Sequence, residues 1–161
     1  MTKMVASLAA IAACALVVAQ TAATATSGTI ELSGTTTTLD PGTGPPCVLH
    51  GPYLVSCDST GFITGFSGTL VGSSNTTSGV LINCKTGRYD GTGTEVFTGS
   101  VTGVGSGALT FRLHVSGGVS ADCSGLTSFS ARGVVVAATG DLAALNGTLI
   151  FEGSTYTGSL H

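Results

Sequence analysis

The chain has 161 residues and a formal net charge of −3, and only 8% of its residues are charged. Its five Lys and Arg residues form no basic cluster that could neutralise phosphates, which argues against a nucleic-acid-binding protein. The length predicts one domain, and the surface must consist mainly of Ser, Thr and Gly, as is typical of exported proteins.

The first 25 residues have the features of a secretory signal peptide. Lys3 supplies a positive charge, an apolar run follows from Met4 to Ala19, and Ala23-Thr24-Ala25 fits the A-x-A cleavage pattern. We therefore expect residues 1–25 to be removed and a secreted chain of residues 26–161 with no stable membrane association. The alternatives are a membrane anchor, for which the run is slightly short, and a lipid anchor through Cys14.

Four cysteines remain in the expected mature chain, namely Cys47, Cys57, Cys84 and Cys123. An even number in an exported chain indicates two disulfides, for which three pairings are open. We favour Cys47–Cys57 and Cys84–Cys123. A metal site is disfavoured because there is no C-x-x-C pair and no His at zinc-ligand spacing from a Cys pair, so no cofactor is expected.

The N-terminal half of the mature chain predicts short strands separated by turns. The strands are expected at 28–35, in two short pieces within 47–57, at 61–71 and at 79–85. Residues 36–46 contain Asp40-Pro41-Gly42 and two adjacent prolines, which predict irregular structure. The polar segment 73–78 predicts a turn, and 87–93 predicts a loop with a hairpin turn at Asp90-Gly91.

The C-terminal half is dominated by a clear alternation. Leu109, Phe111, Leu113 and Val115 occupy every second position, which predicts a strand with one buried face. The remaining strands are predicted at 94–102, 107–116, 126–138, 147–152 and 154–160, with a loop at 117–125 and a helix-like turn at 139–146.

About eight strands and no helical period in the mature chain predict an all-β, antiparallel barrel, with a β-sandwich as the alternative. Glycines inside the strand patterns, such as Gly65 and Gly68, favour the barrel because a closing sheet must bend sharply. Closure would also remove the edges of a Thr-rich sheet with little charge.

The C-terminal third resembles a known class. Gly140, Asp141, Leu142, Leu145 and Gly147 form a Gly-Asp-Leu-x-x-Leu-x-Gly turn, and the chain ends with Tyr156-Thr157-Gly158. This ending resembles that of small exported bacterial proteins of the allene oxide cyclase-type, dirigent-like barrel class. The resemblance implies an eight-stranded barrel, and no functional residue is carried over from it.

Glu95 is the acidic residue of greatest interest. Counting by two, it shares a face with Phe97 and Val101. If that face points inward, burial raises the pKa of the carboxyl, which could then act as an acid or bind a polar ligand atom. A bulge at Gly91–Gly93 would instead turn Glu95 to solvent, because a slip of one residue exchanges the two faces.

Arg112 and His114 lie on one face, opposite the apolar face of their strand. They could line a pocket or face an anion, or they could lie on a solvated outer face, where Arg is usually found. Together with Glu95 they are the candidate catalytic residues, although no known catalytic motif is present, and binding is expected rather than catalysis.

The leading functional hypothesis is a barrel that binds a small apolar ligand. Six aromatic residues are available to line its interior: Phe62, Phe66, Phe97, Phe111, Phe129 and Tyr156. The alternatives are an extracellular structural or interaction domain that acts through its surface or by homo-oligomerisation, and a dirigent- or cyclase-like isomerase, which rests on fold analogy alone.

Overall fold

The computed structural model describes residues 28–120 and 122–161. The predicted signal peptide, including Cys14, lies outside these residues. The described chain forms one antiparallel sheet of nine strands: β1 (Ile30–Asp40), β2 (Val48–Leu49), β3 (Leu54–Gly68), β4 (Leu70–Asn83), β5 (Arg88–Val101), β6 (Gly105–Val119), β7 (Leu126–Gly140), β8 (Gly147–Glu152) and β9 (Thr155–Leu160).

The sheet closes into a ring of eight strands. Neighbours follow the order β1-β9-β8-β7-β6-β5-β4-β3, and β1 also pairs with β3, from Gly34↔Gly68 to Asp40↔Ile63. The two-residue strand β2 adds to β3 outside the ring. The prediction of an all-β, antiparallel sheet of about eight strands that closes on itself is therefore confirmed.

The hairpin of β5 and β6 has the predicted faces. Along β6, Leu109, Phe111, Leu113 and Val115 are buried, whereas Arg112 and His114 are exposed. β5 pairs with β6 without interruption from Arg88↔Gly118 to Val101↔Gly105. Because alternate side chains point to opposite faces of a sheet, the apolar face of this hairpin is the interior of the ring.

Three segments predicted as irregular are strands. β1 continues through the run of threonines to Asp40, β4 includes residues 73–78, and β5 begins at Arg88 and includes Asp90-Gly91. The β4 and β5 segments are paired with a strand on each side, and residues 36–40 of β1 are paired with β3. Thr is also a good strand residue because it is β-branched.

The predicted strand 61–71 is divided by a hairpin. Gly68 has a φ of 122°, which disfavours residues with a side chain, and it ends β3. Leu70, expected on the same strand as Phe66, instead begins β4 and is fully buried.

The helix-like turn at 139–146 is a pair of tight turns, and no helix occurs among the described residues. The N–H of Ala143 donates to the Gly140 carbonyl at 3.2 Å, and that of Leu145 donates to the Leu142 carbonyl at 2.9 Å. The turns place Leu142, which is fully buried, against one end of the ring. We call this end the closed end, and its other fully or almost fully buried aliphatic residues are Leu70, Val101, Leu109, Leu149 and Leu160.

Aromatic residues fill the ring beside the closed end. Phe66 contacts Phe97, Phe151 and Tyr156 with ring centroids 5.3, 6.0 and 5.4 Å apart. The Tyr156 hydroxyl accepts a hydrogen bond from the Leu70 N–H at 2.8 Å, which satisfies a backbone donor at the β3–β4 turn. A Cβ at Gly34 would lie 2.5 Å from this hydroxyl, so glycine is required there by the space available.

Both favoured disulfides are present. Cys47–Cys57 joins the segment before β2 to β3, with a Cα–Cα distance of 4.4 Å. Cys84–Cys123 joins the β4–β5 turn to the β6–β7 loop, with a Cα–Cα distance of 5.4 Å. Each disulfide therefore holds a connection that lies at or beyond the edge of the ring.

Candidate functional site

The interior is not completely filled. A cavity of about 340 Å³ lies beyond the aromatic layer, on the side away from the closed end. Its lining comes from every strand of the ring except β9: Thr36, Thr38, Ser59, Phe62, Thr64, Thr76, Ser78, Glu95, Leu113, Val115, Phe129, Ala131 and Phe151, with Gly153 from the β8–β9 turn.

The cavity opens to solvent between β1, β7 and the β8–β9 turn. Thr38, Phe129 and Gly153 line it and are exposed, so they form its mouth. Two backbone hydrogen bonds hold the turn in place, from Gly153 N–H to the Phe129 carbonyl at 3.2 Å and from Thr36 N–H to the Ser154 carbonyl at 2.8 Å. The rim of the mouth is thus part of the sheet's hydrogen-bond network.

The lining is polar on one side and apolar on the other. β1 and β4 contribute only hydroxyl side chains to it, and β6 and β7 contribute only apolar ones. This division follows from the inward positions of two strands: Ser74, Thr76 and Ser78 alternate along β4, whereas Leu113 and Val115 alternate along β6. A ligand with one polar and one apolar side would match both surfaces.

Glu95 lies at the inner end of the polar side. Its side chain is 3% exposed, and its strand neighbours on either side are Thr76 and Phe111. The Ser74 hydroxyl donates to Glu95 Oε1 at 2.6 Å. The inward-facing alternative is therefore the one found, because β5 pairs without a bulge through Gly91–Gly93 and the face is not exchanged.

Burial raises the pKa of Glu95 from its ordinary value of 4.5 to about 7, because desolvation penalises the charged carboxylate. The hydrogen bond from Ser74 acts in the opposite direction and is the smaller effect. No other lining residue is ionisable near neutral pH. Glu95 is therefore the lining residue whose protonation changes near neutral pH.

Two of the six predicted ligand-binding aromatics reach the cavity. Phe62 lines its wall and Phe129 its mouth, where Phe129 is 39% exposed. The other four are buried in the packed part of the ring and do not line the cavity: Phe66, Phe97, Phe111 and Tyr156. Alternation in sequence places all six on inner faces, but it does not tell which level of the ring is filled.

Sequence reasoning missed Phe151 and the hydroxyl-bearing residues of the lining. Phe151 alternates with Leu149 in the short strand β8, so the same period-two argument would have included it. The hydroxyl-bearing residues gave no such signal, because Ser and Thr also make up most of the outer surface.

Arg112 and His114 lie on the outer face, away from the cavity. His114 Nε2 is 3.0 Å from Asp90 Oδ2, and the two side chains are 59% and 69% exposed. The wall of the ring thus separates Glu95 from the other two catalytic candidates, Arg112 and His114.

Among residues 28–120 and 122–161, no three His, Cys, Asp or Glu side chains are grouped so that they could hold a metal ion. In the same ranges, no helix is long and apolar enough to cross a membrane.

Comparison with known proteins gives no relative. No family model matches the chain, and no curated protein or solved structure is significantly similar to it.

Proposed function

We propose that this protein binds a small molecule in the cavity, with the apolar part of the ligand against β6–β8 and a polar group toward Glu95. The observation that carries the proposal is the open cavity of about 340 Å³. Ligand sites usually have volumes of roughly 300–1,000 Å³ and are apolar with a few convergent polar groups. The volume is suited to a ligand of about the size of a substituted benzene ring.

We infer that the protein acts outside the cell. The two disulfides are consistent with an extracellular protein, since such bonds persist in oxidising compartments. The signal-peptide pattern in residues 1–25 supports export. A closed, disulfide-bonded ring with a preformed cavity is suited to holding a ligand without a large conformational change.

The test is an NMR titration of the protein with 2-phenylethanol, a neutral probe with an apolar ring and one hydroxyl. We expect the amide signals of cavity-lining residues such as Leu113 and Ala131 to shift in a saturable way. Ala131→Leu, which fills part of the cavity from a 1% exposed position, should weaken binding at least tenfold.

Ala137→Leu is the matched control, because Ala137 lies on the same strand and is exposed. It should bind the probe as the unchanged protein does. If the folded protein shows no saturable shift at the lining residues with a panel of apolar probes of this size, the proposed function is wrong.

A further inference from the structure

Glu95 is a carboxylic acid placed where an apolar residue would stabilise the fold more. It lies one inward position from Phe97, which is fully buried, and it is itself 3% exposed. Burying a carboxyl group costs free energy unless hydrogen bonds compensate for lost hydration. The described residues supply one side-chain donor to it, Ser74, at Oε1.

The second carboxyl oxygen borders the cavity. Among the described residues, Oε2 of Glu95 has no hydrogen-bond partner. Since no fully buried side-chain oxygen of these residues lacks a partner, Oε2 is not fully buried, and Glu95 is part of the cavity lining. Since Ser74 occupies Oε1, Oε2 is the atom that a molecule in the cavity would meet. A buried carboxylate with one oxygen facing a cavity accepts a hydrogen bond from a ligand, and a cationic donor makes the strongest such bond.

Within residues 28–120 and 122–161, no cationic side chain lines the cavity beside Glu95. The other residues that line the cavity are all uncharged. On the strands nearest Glu95 they are Thr36 and Thr38 of β1, Ser59, Phe62 and Thr64 of β3, and Thr76 and Ser78 of β4. The side chain of Arg112, on the neighbouring strand β6, is on the outer face and exposed. The carboxylate is therefore electrostatically unpaired inside the ring.

The rest of the lining suits the remainder of an amine. Hydroxyl oxygens such as those of Thr64 and Thr76 can accept the other N–H groups of an ammonium. The apolar wall opposite, with Phe62 and Phe151, suits a hydrocarbon or aromatic body. A carboxylate ligand would instead be placed beside a carboxyl group with no cation to receive it.

We propose that the cavity is selective for apolar amines, whose ammonium group pairs with the Glu95 carboxylate while the hydrocarbon part contacts the phenylalanine side. This inference rests on the proposed function of the cavity and names the ligand class. It assigns Glu95 as the residue that determines specificity.

Binding of an amine should depend on pH. An ammonium pairs with the ionised carboxylate, so below the pKa of about 7 each binding event must release the proton of Glu95 to solvent. The affinity for an amine should therefore fall as the pH drops below 7. A simple ammonium keeps its charge throughout this range because its pKa is near that of Lys, about 10.4.

The experiment compares 2-phenylethylamine, 2-phenylethanol and 3-phenylpropanoate by NMR titration at pH 5 and pH 8. We expect the amine to bind at least tenfold more tightly at pH 8 than at pH 5, and the alcohol to change less than threefold. Glu95→Gln should weaken amine binding at pH 8 at least tenfold and abolish its pH dependence, while leaving the alcohol within threefold. The exposed Glu31, changed to Gln, is the control that should behave as the unchanged protein.

The carboxyl ¹³C signal of Glu95 gives a readout that does not need a variant. Saturating amine should lower its pKa, and saturating alcohol should not. Equal, pH-independent affinities for amine and alcohol, or a preference for the propanoate, would overturn the amine proposal while the binding function stands. Failure of all three probes to shift the lining residues would count against the binding function itself.

Discussion

At the scale of single residues, Glu95 differs most from its surroundings. Its neighbours on the inner face of β5 include Phe97 and Val101, both of which are buried. Because burial raises its pKa from 4.5 to about 7, the folded protein binds its proton more tightly than the unfolded chain does. Stability from this group is therefore greatest below pH 4.5 and is lost as the pH rises to about 7.

We predict that Glu95→Gln removes this pH dependence. A difference of 1.4 kcal/mol per pKa unit gives about 3 kcal/mol for this shift. The variant should be more stable than the unchanged protein by about that amount at pH 8 and about equally stable at pH 4, as measured by denaturant unfolding with the disulfides intact.

Glu31→Gln is the control, because it removes a carboxylate from an exposed position of β1. It should show almost no difference at either pH. If the difference in free energy of unfolding between Glu95→Gln and the unchanged protein is the same at pH 4 and pH 8, the pKa of Glu95 is not raised.

Tyr156 is the second residue whose polar group matters. Its hydroxyl accepts a hydrogen bond from the N–H of the buried Leu70, and it lies 3.3 Å from the Leu70 carbonyl, next to the β3–β4 turn. Tyr156→Phe keeps the ring and leaves that N–H without a partner. We expect a loss of about 1–3 kcal/mol, the cost of an unsatisfied buried donor, in the free energy of unfolding.

Tyr53→Phe is the comparison, because Tyr53 is 53% exposed and the same atom is removed. It should change stability by less than about 0.5 kcal/mol. If the two variants are equally stable, the hydroxyl of Tyr156 does not hold the turn.

At the scale of elements, the connections that lie outside the ring depend on the disulfides. Cys123 has a φ of 60°, which is unfavourable for a residue other than glycine, and it is bonded to Cys84. The β6–β7 loop is otherwise held by short-range hydrogen bonds, such as that from Ser124 N–H to Ser120 Oγ at 3.0 Å.

We predict that the two disulfides contribute unequally. The sequence separations are 39 residues for Cys84–Cys123 and 10 for Cys47–Cys57. Loop-closure entropy then gives about 4 and about 3 kcal/mol, respectively. The Cys84→Ala, Cys123→Ala double variant should therefore unfold at lower denaturant concentration than the Cys47→Ala, Cys57→Ala variant. The reverse order would show that native-state effects dominate over chain entropy.

At the scale of the whole molecule, the pairing of β1 with β3 closes the sheet. β9 pairs with β1 only as far as Thr35, so Thr37 and Thr38 have β3 as their strand partner. The Thr36 N–H donates toward Ser154, on the β9 side. Because successive N–H groups of a strand point to opposite sides, the Thr37 N–H points toward β3.

Hydrogen exchange tests this closure. We expect the Thr37 amide to be protected, since an open sheet would leave it exposed to water at an edge. The β5 residue Val96, which has strand partners on both sides, provides the internal reference. Thr37 should approach its protection, whereas exchange of Thr37 at the rate of an unstructured chain would contradict a closed ring.

The fold class followed from local patterns. Alternation in Leu109–Val115 identified the buried face of β6, because the period of a strand is two whatever its partners are. The even cysteine count indicated two disulfides, and the favoured pairing was found. Three statements stay predictions: the resemblance of the C-terminal third to the allene oxide cyclase-type class, export from the cell, and homo-oligomerisation.

Tertiary structure decided where strands begin and end and where the interior is empty. Ser- and Thr-rich stretches such as residues 73–78 have the composition of turns, and only pairing on both sides makes them strands. Likewise, inward alternation could not separate Phe97, in the packed layer, from Phe62, at the cavity. The reason is physical: the direction of a side chain is set by its own backbone, but the space it meets is set by residues far away in the chain.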